Sequence, residues 1–124
     1  MKFLIASLLL ASTSTFSAII TSAKIDATNE NILVDVKYSG GCAEHTFKLS
    51  LGDEACLELD SKAVDCIAML FEDVQGGADV CAAIVRKTVV INLKEEGLYG
   101  SYWSGAKLTI TTHDNARTAT VVIP

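Results

Sequence analysis

Residues 62–71 read KAVDCIAMLF, and two folds compete for them. Val64, Ile67 and Leu70/Phe71 keep the spacing of a helix face, yet from Asp65 onward nearly every position is apolar, as in a central strand covered on both sides. A run this short does not separate the two by itself; its neighbours do. In NILVDVKY (31–38), Ile32, Val34, Val36 and Tyr38 share one face while Asp35 and Lys37 take the other, the period of two of a half-buried strand. HTFKLSL (45–51) repeats the pattern with Phe47, Leu49 and Leu51 inward. VCAAIV (80–85), TVVINL (88–93), AKLTITT (106–112) and TATVVIP (118–124) read as further strands. Glycine and Asn/Asp punctuate them at 40–41, 52–54, 76–77, 104–105 and 114–115. Residues 62–71 are therefore read as strand, with a helix over 62–74 as the alternative. Six or seven short strands at this spacing predict an all-β chain, a single small disulfide-stabilised β-sandwich, Ig-like or related.

The first 23 residues, MKFLIASLLLASTSTFSAIITSA, have the parts of a secretory signal peptide: a lone lysine, an apolar stretch over 3–11, and small polar residues after it. That stretch is under half the roughly 20 residues a transmembrane helix needs, so no membrane anchor is expected. Ala18 and Ala23 both offer a small residue at the cut. Thr21 suits the third-last position for Ala23, whereas bulky Phe16 disfavours Ala18, so cleavage after Ala23 is expected, leaving one domain over 24–124. The first cysteine is Cys42, too far along for a lipid-modified N-terminus. A periplasmic or secreted monomer follows.

Without Lys2 the mature chain sets nine basic side chains against fifteen acidic ones, a net charge of −6. No basic stripe is present to neutralise phosphates, which argues against nucleic acid and anionic lipid as partners.

Cys42, Cys56, Cys66 and Cys81 all follow the leader, and an even count in a small exported domain reads as a disulfide framework. The intervals of 13, 9 and 14 residues hold no C-x-x-C pair of the kind redox centres and zinc sites use. Cys42 lies just before one strand and Cys81 at the start of another; Cys56 and Cys66 lie on successive segments joined by LELDSKAVD. A nested pairing, Cys42 with Cys81 and Cys56 with Cys66, uses both proximities.

The stretch YSGGCAEHTFKLSL (38–51), together with ADVCAAIVRKTVVINL (78–93), resembles a group of small exported bacterial proteins of unknown function that carry a G-G-C-x-E-H-x-F-x-L motif followed by a D-x-C segment. Gly40, Gly41, Cys42, Glu44, His45, Phe47 and Leu49 match the first motif, and Asp79 and Cys81 the second. The resemblance implies that Cys42 and Cys81 are partners and implies no activity; Cys56 and Cys66 lie outside it.

Cys42 and His45 have a spacing that invites a thiolate–imidazole reading. A strand, however, sends Glu44 and His45 to opposite faces, with His45 on the side of Phe47, Leu49 and Leu51. His45 is therefore expected to be a partly buried histidine bonded to a carbonyl or carboxylate. No catalytic residues and no cofactor are expected. A metal site through His45, His113 and Glu44 is the alternative, though His113 lies near the far end of the chain. In EEGLYGSYWSG (95–105), Tyr99, Tyr102 and Trp103 sit among glycines. They are a candidate surface for an envelope or extracellular protein or glycan, or else a cap on the core. The leading expectation is a non-enzymatic binding module, inhibitor-like in one version because an acidic chain complements a basic hydrolase.

Overall fold

The structure, a computed structural model, describes residues 18–113 and 117–124. The apolar stretch read as a leader and the residues Asp114 and Asn115 read as a turn lie outside them.

Eight strands form two sheets packed as a sandwich: β1 (Ile19–Ile25), β2 (Asn31–Gly40), β3 (His45–Ser50), β4 (Cys56–Leu59), β5 (Lys62–Val74), β6 (Ala83–Asn92), β7 (Lys107–Thr111) and β8 (Thr118–Val122). One sheet has the order β1-β2-β6, all antiparallel. The other runs β3-β5-β7-β8, with β4 also on β5.

Residues 62–74 are strand, not helix. β5 organises the larger sheet because its 13 residues accommodate two partners along one edge. β3 pairs with its C-terminal half (His45↔Val74 to Ser50↔Met69) and β4 with its N-terminal part (Cys56↔Cys66 to Leu59↔Lys62). β7 pairs in parallel along the other edge. Asp60 and Ser61, at φ 54° and 62°, turn the β4–β5 hairpin in the left-handed conformation that two-residue hairpins require.

The alternation in β2 is realised residue by residue, with Ile32, Val34, Val36 and Tyr38 buried. They meet Ala63, Cys66, Ala68 and Leu70 of β5, Leu108 and Ile110 of β7, and Val121 of β8 in one core. Among the described residues no buried side-chain nitrogen or oxygen lacks a hydrogen bond.

Two expectations are corrected, and a third segment takes a place in the fold. β5 is central, but among the described residues no layer covers its outer face, where Val64, Ile67 and Phe71 are exposed. VCAAIV and TVVINL are not two strands: β6 runs unbroken from Ala83, held to β2 over its whole length, and residues 80–82 precede it. Residues 19–23, read from the sequence as leader, form five of the seven positions of β1, with Ile20 in the core.

Both cysteine pairs are bonded as the nested pairing requires, Cys42 with Cys81 and Cys56 with Cys66, at Cα separations of 5.6 and 4.1 Å. Two disulfides are the framework of a chain that folds in an oxidising compartment. Among the described residues no helix is long and apolar enough to cross a membrane.

Candidate functional site

The end of β2, the start of β3 and the segment before β6 converge on His45. Strand pairing sets His45 opposite Val74 and Phe47 opposite Glu72, so Glu72 is the diagonal neighbour of His45 on the inner face. The ring is 3% exposed and both nitrogens are in use. Nδ1 lies 2.5 Å from Glu72 Oε2, and Nε2 lies 2.7 Å from Asp79 Oδ2. Ionised carboxylates only accept hydrogen bonds, so a ring bridging two of them donates from both nitrogens, as an imidazolium. Burial opposes that charge, but the ring's hydrogen bonds to Asp79 and Glu72 outweigh it and raise the pKa above the ordinary 6.5. Tyr38 stacks on the ring at 4.0 Å between centroids, and Lys87 Nζ donates to the His45 carbonyl at 2.7 Å.

Asp79 does more than face the histidine. Its carboxylate accepts from the backbone N–H groups of Gly41, Cys42, Ala43 and Cys81, at 3.0 to 3.3 Å. The His45 hydrogen bond, followed by that from Ala43, holds this carboxyl far below the usual range despite its burial. The two sequence motifs are therefore one device. Asp79 ties the G-G-C turn to the D-x-C segment, the Cys42–Cys81 bond closes the same junction, and His45 anchors it to β3 and β5. Gly40 is glycine because a Cβ there would run into the Asp79 carboxylate and the His45 ring. Gly41, at φ 110°, takes a conformation that L side chains avoid.

The remaining sequence candidates divide. Glu44 is exposed just before β3, and His113 is exposed beyond β7. With both His45 nitrogens taken, His45, His113 and Glu44 do not form a ligand set. Among the described residues the one group of three close metal-binding side chains is Cys42, Asp79 and Cys81, and its two sulfurs are bonded to each other. The thiolate–imidazole pairing likewise lacks its thiol. In the aromatic loop, Tyr99 is 56% exposed and borders a pocket of about 400 Å³ with Asn29, Asn92, Lys94 and Pro124. Tyr102 and Trp103 are half-buried against the core. The Tyr102 hydroxyl donates to Glu58 at 2.5 Å, its carbonyl accepts from Ala63, and its ring meets Trp103 edge-on at 5.1 Å. Two of the three aromatics thus close that end of the sandwich, and Tyr99 alone reaches outward.

A second surface has no counterpart in the sequence reading. On the outer face of the larger sheet, Leu57 (71% exposed), Ile67 (58%), Phe71 (49%) and Val122 (59%) stand free, joined by Leu59 and Val64 near the hairpin. Among the described residues, six of the ten exposed large apolar side chains belong to β4, β5 and β8. Thr109, Thr120 and the exposed Lys107–Asp65 ion pair lie among them. The available sign was the doubly apolar run of β5, whose second face goes to solvent instead of to a covering layer.

No protein-family model, curated protein or solved structure matches the chain.

Proposed function

We propose that this chain is an exported, non-enzymatic, disulfide-stabilised domain, periplasmic or secreted, that binds a basic protein through the outer face of its five-stranded sheet. The observation that carries the proposal is the apolar patch of Leu57, Ile67, Phe71 and Val122. A solvent-facing sheet surface is ordinarily polar, and several large apolar side chains exposed on one face favour a contact surface. Charge supplies the partner's chemistry. The β3–β4 turn and the β4–β5 hairpin carry Asp53, Glu54, Glu58 and Asp60 against Lys62, all exposed, on a chain already acidic overall. The complement is an apolar patch with a basic rim, as on a cationic hydrolase that such a domain would inhibit. The saturated His45 supports the non-enzymatic half: a general base needs a nitrogen free to take a proton, and this ring offers none. The likeness of the G-G-C-x-E-H and D-x-C segments to small exported bacterial proteins fits the same setting.

The test uses the mature protein as bait for the envelope and extracellular fractions of its own cell, followed by titration of the purified captured protein. The expected partner is basic and its affinity falls with added salt. Ile67→Asp or Phe71→Ser should weaken it at least about ten-fold, equal to about 1.4 kcal/mol, while the melting temperature stays within a few degrees. Variants that bind like the wild type would remove the patch from the account. A concentration-dependent dimer lost in the same variants would make the occupant a second copy of this chain.

A further inference from the structure

We infer that the leader is cut between Ser17 and Ala18, and that the α-ammonium freed on Ala18 becomes the fourth member of the buried charge chain through Glu72, His45 and Asp79. The inference rests on the export reading and locates its cut.

Three observations carry it. First, β1 belongs to the fold. It pairs with β2 from Ile19↔Lys37 to Ile25↔Ile32 and places Ile20 in the core, so a cut after Ala23 would remove five of its seven residues. A cut after Ala18 would spare the strand but discard Ala18, which is itself a buried core residue. Second, the backbone nitrogen of Ala18 donates to Glu72 Oε1 at 3.3 Å, while the other oxygen of Glu72 holds His45. The chain of groups is then Ala18 nitrogen, Glu72, His45 and Asp79. Two carboxylates and one imidazolium leave it one negative charge in excess, and an α-ammonium at the existing nitrogen position neutralises it. Third, Thr15 and Ser17 supply small residues at the third-last and last positions of the leader, with Phe16 between them where bulk is tolerated.

The ammonium would sit at a pocket of about 250 Å³ bordered by Ala18, Phe47, Leu70, Glu72 and His113. The titratable groups facing it are Glu72 from β5, His45 beyond it on β3, and His113 on the rim after β7. Of these, Glu72 is the one in hydrogen-bond contact with the Ala18 nitrogen, at 3.3 Å. Glu72 therefore dominates, and the α-amine should titrate above the ordinary value of about 7.7–8.0.

The full chain, expressed with its leader in a secreting bacterial host, should yield an exported product beginning Ala-Ile-Ile. Intact mass and N-terminal sequencing should give 107 residues, 17 fewer than the 124 encoded. The α-amine of that product, labelled by reductive methylation and followed by NMR, should titrate at least about half a pH unit above the free value and return to it in Glu72→Gln. An exported product beginning at Ile19 or Lys24 overturns the inference and leaves export standing; retention inside the cell with residues 1–17 attached overturns both. An Ala18 amine titrating at the ordinary value in the wild type, which needs no variant to fold, refutes the charge pairing.

Discussion

Replacing His45 by alanine removes one cation from between two carboxylates. Breaking a buried ion pair by deleting one partner costs about 3–5 kcal/mol, because the other charge is left uncompensated. Two features place this case near the lower end. Asp79 retains backbone donors from Gly41, Cys42, Ala43 and Cys81, and the Glu72 side chain is 19% exposed, so water reaches it once the ring is gone. A loss of about 3 kcal/mol is expected, out of the roughly 5–15 kcal/mol typical of a domain this size. Trp103, the single tryptophan and half-buried against the core, reports unfolding in guanidinium. The pH dependence is the more specific signature. The His45 pKa is raised above 6.5, so its contribution is complete below that pH and is lost as pH climbs through the folded value. The Asp79 pKa is depressed below 3.8, so its contribution is present above that pH and is lost on acidification through the folded value. Wild-type stability should therefore form a plateau between pH 3.8 and 6.5 and fall on either side. In His45→Ala the decline that begins near pH 6.5 should vanish. A cost below about 1 kcal/mol, within reach of an ordinary exposed substitution, or an alkaline decline that survives in the variant, would refute the charge-clamp argument.

Gly40→Ala should lower stability by about 1–3 kcal/mol through overpacking against the Asp79 carboxylate and the His45 ring, measured by the same denaturation. In the chain-entropy account, opening Cys42–Cys81, which spans 39 residues, should cost about 4 kcal/mol, and opening Cys56–Cys66, which spans 10, about 3. Paired serine variants under calorimetry test the order of the two.

Strand content was legible wherever one face met the core and the other met charge. β2 shows it best, since Ile32, Val34, Val36 and Tyr38 alternate with Asp35 and Lys37 and every apolar member is buried. The cysteine pairing was legible because both bonds join segments that the turn pattern already places side by side. β1 was hidden because Ile19 and Ile20 follow the apolar stretch that reads as a leader, and composition does not distinguish the apolar residues of a leader from those of a core. β5 was ambiguous because its outward Val64, Ile67 and Phe71 fill the positions that would otherwise have shown polar alternation. The burial of His45 could be read from its place in β3, but its partners could not. Glu72 reaches it diagonally across a strand pair and Asp79 from 34 residues away, and neither contact has a local sequence period.

The central claim is that the G-G-C-x-E-H turn and the D-x-C segment are held by a doubly protonated histidine and not arranged around a reactive one. Nitrogen-15 NMR of the imidazole of His45 at pH 7 tests it most directly. The account predicts protons on both Nδ1 and Nε2, with the ring still charged at a pH where an unperturbed histidine is mostly neutral; a ring with one bare nitrogen at that pH would contradict it.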